Sequence, residues 1–333
     1  MQSTKPSYYD AFRCLADTCP DSCCREWAVV VDDESAARYR ALGGQLGQRL
    51  REVMQEEDGD TILALESDRR CPMWQDDGLC RIQAQLGEAA LCQTCRQFPR
   101  LRHDYGDFME LSLELSCPEA ARLILSETSE TITQEKPCVE APDYDPAMMA
   151  ILRHSRDRAL SLLNDPQFSV PDALAILLLY SYAVQDWLDG GEEARWQPAA
   201  GLALARSLPL SPTGDLLEFC WGLNILTDRW RERLARPLGS RWADSHRALA
   251  RYFVNRYWLQ AVSDGDLICR TKLTVFSCLV IRKLGGDICQ TAQLYSKEIE
   301  NDTDNVDAIL DAAYTAPALT DSNLLYLLLE DAP

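Results

Sequence analysis

Nine of the fourteen cysteines in this 333-residue chain lie between residues 14 and 117, four of them inside the eleven residues CLADTCPDSCC. Scattered cysteines serve as small buried hydrophobes, whereas cysteines clustered at short spacing bind something or pair with each other. The other five, Cys138, Cys220, Cys269, Cys278 and Cys289, are spread over the remaining two thirds of the sequence. The choice between disulfides and ligands turns on compartment. The amino terminus, MQSTKPSYYDAF, has one lysine and no apolar stretch, so it does not read as a secretory signal. A cytoplasmic location is expected, and there thiols are kept reduced. Thiolate ligation of a metal or cluster is therefore the first expectation.

The rest of the composition narrows the class. Hydrophobic content of 47% with 26% charged residues belongs to a globular chain long enough to build cores without covalent staples. No apolar run reaches the roughly 18 residues of a membrane span. The richest, ALAILLLYSYAV at 173–184, reads as a buried helix. A net charge of −19 argues against nucleic acid and anionic membrane as partners and suits a basic one. Arginine outnumbers lysine 28 to five, an imbalance that carries no functional reading.

Periodicity gives a mainly α chain with two regions. Residues 1–140 read as a cysteine-rich, metal-organised region with a few short strands: WAVVVD (27–32), TILALE (61–66) and the alternating FMELSLELS (108–116). Between the first two, the spacing predicts one helix over DESAARYRALGGQLGQRLREVM, and CPEAARLILSE (117–127) opens another, with Pro118 at a tolerated first-turn position. The proline-bearing stretch 128–146 reads as the linker. Residues 141–333 repeat apolar residues at three- and four-residue steps and read as an all-helical domain with no legible chemistry.

Three blocks carry the cysteine signal: Cys14, Cys19, Cys23 and Cys24; then Cys71 and Cys80 around an Asp-Asp-Gly turn; then the C-x-x-C pair Cys92 and Cys95. Two thiolates two residues apart can chelate one metal, because the intervening turn aims both sulfurs inward. The adjacent Cys23 and Cys24 are different, since neighbouring side chains diverge, so each is expected to serve a different shell. By ligand softness zinc and an iron–sulfur cluster are both open. His103 is the one histidine close in sequence to these blocks. The chain lacks a P-loop, a nucleophile elbow, an H-E-x-x-H pair, a G-x-G-x-x-G fingerprint and the C-x3-C-x2-C triplet of radical enzymes. Tyr8, Tyr9, Trp27 and Trp74 could wall a cationic ligand, and Asp76 or Asp77 could supply a carboxylate. Packing is the commoner use of such aromatics, and a turn the commoner use of Asp-Asp-Gly. No catalytic residue and no cofactor-binding residue is legible.

The segments YYDAFRCLADTCPDSCCREW, CPMWQDDGLCRIQAQLGEAALCQTCRQFPR and LSLELSCPEAARLIL together resemble the hallmark segments of the flagellin lysine-N-methylases, over about residues 7–127. The cysteine-rich region is also similar to the wider zinc- or iron-chelating family with a CC-ending motif. The resemblance implies methyl transfer from S-adenosylmethionine to lysine ε-amines of flagellin, and a four-iron, four-sulfur cluster. The metal ligands it implies come from Cys14, Cys19, Cys23, Cys24, Cys71, Cys80, Cys92 and Cys95, with Cys117 a further candidate. A cluster takes at most four protein sulfurs, so several of these must play supporting parts. The rival reading is a non-enzymatic zinc-binding module that orders a protein-interaction surface.

Overall fold

The computed structural model describes residues 2–57, 59–126, 131–135, 142–193 and 195–330. Those residues form fifteen α-helices and seven short strands, a mainly α fold. The thiol-rich third holds α1 (Asp33–Ala41), α2 (Gly44–Val53), α3 (Arg81–Leu86), α4 (Gln93–Gln97) and α5 (Pro118–Ser126). The next helices are α6 (Pro146–Asn164), α7 (Val170–Leu188), α8 (Pro198–Ser207), α9 (Leu216–Trp221) and α10 (Asp228–Ala235). Last come α11 (Asp244–Tyr257), α12 (Leu267–Leu284), α13 (Ile288–Tyr295), α14 (Thr303–Ala312) and α15 (Asp321–Leu329).

The helix expected after Asp32 is two helices. Gly44 adopts φ +73°, a left-handed conformation open to glycine, and starts α2 at an angle to α1. The break is tight: a Cβ on Gly47 would lie 1.9 Å from the Leu42 carbonyl oxygen. The end of the same segment turns extended, so that β3 (Met54–Glu57) pairs antiparallel with β4 (Asp60–Leu63), which pairs with β2 (Val29–Val30). Val29, Tyr39, Leu50, Leu63, Met73 and Leu91 bury a small core under this sheet, and Cys71 and Cys92 belong to it.

A second sheet has the order β5 (Arg100–Asp104), β6 (Phe108–Leu113), β1 (Gln2–Pro6), β7 (Thr131–Glu135). β1 runs parallel to β6, with Gln2 opposite Phe108, and antiparallel to β7. The strands near 29, 61 and 108 fall where the sequence placed them, the last by its alternation, although each is shorter. β1, β3 and β5 have no apolar alternation to betray them. β7 corrects the linker expectation for part of 128–146: TITQE alternates weakly and completes an edge beside β1. Residues 127–130 and 136–141, including Cys138, lie outside the described residues.

The larger core unites this second sheet with the helices. Phe12, Leu113 and Leu115 pack in the same cluster as Leu152, Leu174, Phe253 and Tyr295. α12 is buried along nearly its whole length, polar residues included. Thr271, Thr274 and Ser277 return their hydroxyls to carbonyls one turn back, and Lys272 Nζ donates to the Ala313 carbonyl at 2.8 Å. Glu300 is a buried charge of this core: its side chain is 2% exposed, pairs with Arg256 at 2.9 Å and accepts from Tyr252 at 3.1 Å and Tyr257 at 2.9 Å. No described helix is long and apolar enough to cross a membrane.

α12 stops at Gly285, which takes φ +64°. A Cβ there would lie 2.1 Å from the Gly239 carbonyl oxygen, because the 238–239 backbone donates to the last carbonyls of α12 at 2.9 and 3.0 Å. Gly285→Ala is therefore expected to lower stability by about 2–4 kcal/mol, combining left-handed strain with a backbone clash. Gly87→Ala, at φ +83° with nothing within 4 Å, should cost only about 1–2 kcal/mol. Denaturant titration of the two variants checks this, and equal losses would refute the clash.

Candidate metal centre

The first and second cysteine blocks meet as a short ladder. Cys71 N–H donates to the Cys24 carbonyl at 2.8 Å, Glu26 N–H donates to the Arg69 carbonyl at 2.9 Å, and Arg25 bridges to Arg70 between them. Glu26 (φ +77°) and Arg69 (φ +61°) both sit in the left-handed region, which costs non-glycine residues energy. Their side chains offset that cost by pairing, Arg69 Nε to Glu26 Oε2 at 2.9 Å. The ladder puts the Cys24 and Cys71 thiols in hydrogen-bonding contact. Cys80 is held by the turn between: Gln75 N–H donates to the Leu79 carbonyl, and Leu79 N–H to Asp77 Oδ1, both at 3.0 Å. Asp77 is thus a turn former, the bland alternative for that pair.

The third block owes its position to Asp32. One carboxylate oxygen accepts from Ser35 N–H at 2.9 Å and caps α1; the other accepts from Gln93 N–H at 2.7 Å at the start of α4. Burial alone would raise its pKa, but these backbone donors hold it below the usual carboxylate value. Thr94 fixes the same turn by donating to the Val30 carbonyl at 2.8 Å. Cys92 and Cys95 then touch thiol to thiol across the first turn of α4. The sequence contained this signal in the Asp32-Asp33-Glu34 helix start, but nothing local could tell that Asp32 serves two helices.

The remaining thiols gather on the other side. Cys19 Sγ donates to the Asp21 carbonyl at 2.7 Å. The Asp21 carboxylate takes Lys297 Nζ at 3.1 Å and Gln293 Nε2 at 2.8 Å, and Gln293 also reaches the Ser116 carbonyl at 2.9 Å. These two residues, from the helical half and unnoticed in the sequence, fasten the first block beside Cys117. Cys14, Cys19 and Cys117 lie close enough to act on one another's charge, and Cys23 feels Cys14 and Cys117. Cys80 likewise neighbours Cys24 and Cys92, and Cys95 neighbours Cys24. The side chains of adjacent Cys23 and Cys24 do not diverge as expected: their thiols touch, and Cys95 feels both.

Every described cysteine is a free thiol. Hydrogen bonds from Cys23 and Cys71 push the Cys24 thiol well down, and the bond from Cys95 lowers Cys92 to about 7. Their partners rise because they hold the shared protons. Each pair thus joins a lowered thiol to a raised one. Among the described residues no three or more His, Cys, Asp or Glu side chains surround one ion position. The arrangement is contacting pairs rather than the closed tetrahedral cage of a single structural zinc. Soft sulfur donors are the chemistry that both zinc and iron–sulfur groups take. The aromatic wall is not assembled: Trp74 is covered by the guanidiniums of Arg70 and Arg25 at 5.0 and 5.7 Å. Trp27 packs on Phe98 at 5.9 Å and donates to the Cys23 carbonyl at 2.8 Å.

Fold and site define a mainly helical protein with a thiol-paired module fastened to its helices by Asp21. The chain is 30% identical over 195 residues to the lysine-N-methylase of Salmonella typhimurium, 53% of this chain and 46% of that protein. The Salmonella choleraesuis lysine-N-methylase matches with the same identity and coverage. It is 31% identical over 146 residues to the flagellar biosynthetic protein FliU of Salmonella muenchen, 40% of this chain and 82% of that one. The chain belongs to the flagellin lysine-N-methylase family. It spans about half the length of the two lysine-N-methylases. No protein-family profile matches it, and no solved structure does.

Proposed function

We propose that this protein methylates lysine ε-amines of flagellin with S-adenosylmethionine, and that its thiol module carries a four-iron, four-sulfur cluster. The observation that supports the reading most is the kinship to proteins named lysine-N-methylase, in a chain whose thiols converge in space. The cluster ligands are drawn from Cys24, Cys71, Cys80, Cys92 and Cys95 on one side, and from Cys14, Cys19, Cys23 and Cys117 on the other. When bound, such a group supplies a cross-link between chain segments and a one-electron couple.

In the transfer the lysine nitrogen lone pair forms the new N–C bond, the sulfonium S–C bond breaks, and sulfur keeps its electron pair. The products are methyl-lysine and S-adenosylhomocysteine. A lysine ammonium has no lone pair, so its proton must leave first, and desolvation favours that loss. The net charge of −19 attracts a lysine-presenting surface, and salt weakens that attraction.

The test is anaerobic purification with iron, sulfide and zinc analysis, followed by incubation with S-adenosylmethionine and the flagellin of the source organism. Peptide mass spectrometry should find lysines heavier by whole methyl groups. No mass shift with a fully loaded cluster overturns the methylase reading in favour of a metal-binding interaction module. Methylation by protein free of iron overturns the cluster's part alone.

A further inference from the structure

A cleft of about 350 Å³ lies between the four-stranded sheet and helices α6 and α11, within the roughly 300–1,000 Å³ of small-molecule sites. Its floor is a row across the sheet. Thr133, Thr4, Glu110 and His103 are successive register partners on β7, β1, β6 and β5. Its walls are one face of each helix: Arg153, Arg156, Asp157 and Leu160 on α6, and Arg251, Tyr252 and Asn255 on α11.

The charges in this cleft do not cancel pairwise. Arg156 grips Glu110 with two hydrogen bonds, the longer 2.7 Å, and Arg256 holds Glu300. Neither Arg153 nor Arg251 makes a close ion pair among the described residues, and the one carboxylate that acts on Arg251 is Asp244, outside the cleft lining. Arg153 lies 4.7 Å over the Phe108 ring and donates to Gln2 Oε1 at 3.3 Å, and Arg251 donates to Asn164 Oδ1 at 3.0 Å. Asp157, on the same face of α6, lines the cleft and lies near enough for its charge to act on Arg156. His103 Nε2 is buried on the floor without a hydrogen-bond partner, as is Arg156 Nε. In a chain of net charge −19, two guanidiniums facing one cleft with a carboxylate beside them are a complement to a zwitterion. A protonated lysine side chain would meet the two arginines and be repelled, so the cleft does not suit the acceptor.

We propose that this cleft binds the methyl donor by its α-amino-acid end, with the carboxylate on Arg153 and Arg251 and the ammonium on Asp157. This rests on the reading above that S-adenosylmethionine is the donor. Phe108, Tyr8 and Leu160 offer apolar surface to the remainder of the molecule, and His103 Nε2 gains the partner it lacks.

Calorimetry of the full chain with S-adenosylhomocysteine tests it, with methylthioadenosine, which lacks the amino-acid end, and inorganic phosphate as comparison ligands. Arg153→Gln, Arg251→Gln and Asp157→Asn should each weaken S-adenosylhomocysteine about ten- to a hundredfold, with thermal melts confirming that each variant is folded. Arg206→Gln, which breaks a pair with Asp172 outside the cleft, should leave binding unchanged. Methylthioadenosine and phosphate should bind at least about tenfold more weakly than S-adenosylhomocysteine. No binding by the parent protein, unchanged affinity in folded variants, or equal binding of methylthioadenosine each overturns the cleft assignment. Methyl transfer in the presence of any of these leaves the methylase reading standing. Binding that follows the variants as expected, with flagellin unmodified, keeps the cleft and sinks the methylase reading.

Discussion

Serine at Cys92 or at Cys95 is expected to remove essentially all cluster iron and sulfide from anaerobically purified protein. These two thiols form the shortest chelating loop in the chain. They are held in contact by a turn whose backbone is fixed from two directions, at Gln93 by Asp32 and at Thr94 by Val30. Losing one sulfur from a four-ligand set leaves an open iron site where a hydroxyl is a poor substitute for a thiolate. Cys278→Ser is the matched control. Cys278 is fully buried in α12, where burial pushes its thiol up and no charged neighbour touches it. Serine there should lower the melting temperature and leave iron per chain unchanged. The readouts are iron, sulfide and visible absorbance per mole of chain. Iron retained in both Cys92→Ser and Cys95→Ser would move the ligands to Cys14, Cys19, Cys23 and Cys117.

Glu300→Ala should be the most damaging single change in the helical core, costing about 3–5 kcal/mol by denaturant unfolding. The loss comes less from the bond removed than from what stays behind. Arg256, with a side chain 12% exposed, keeps its charge without its paired carboxylate, leaving only the more distant Glu114, and the Tyr257 hydroxyl loses the acceptor it reaches at 2.9 Å. Removing the charge as well, in an Arg256→Met, Glu300→Leu pair, should recover a large part of the stability, because two apolar groups of similar size leave nothing unpaired. A double variant no more stable than Glu300→Ala would mean that packing, and not the stranded charge, sets the cost.

The helical half was legible because burial imposes a period. α6, α7, α11 and α12 carry apolar residues at helical steps, and their capping residues Asp145, Ser169 and Asp266 stand in the sequence where the helices begin. β6 was legible for the same reason, since one face is buried. β1, with QSTKP, was not: its place is set by hydrogen bonds to strands more than a hundred residues away, and local composition carries no trace of them. The convergence of the cysteine blocks was readable from spacing, but the grouping was not. That Cys117 sits with Cys14 and Cys19 depends on Asp21 finding Lys297 and Gln293, a contact between distant segments that no window of sequence contains. The cleft arginines were invisible for a related reason: an arginine reads as a solvated charge until the fold decides whether a carboxylate faces it.

β1 lies beside β6 in parallel, so the excursion between Pro6 and Arg100, cysteine blocks included, leaves one sheet and rejoins it at β5, which folds back as β6 beside β1. Adjacent strands stand about 4.8 Å apart, so the thiol-bearing stretch is a loop whose two ends are already clamped together. During synthesis β1 must wait for roughly a hundred further residues before its partner exists, which makes this pairing a late, high-contact-order event. Once made, it changes the status of the thiols. The two ends of their chain are then held by strand hydrogen bonds in which no cysteine takes part, so the tie at the neck and the contacts among the thiols rest on separate sets of bonds.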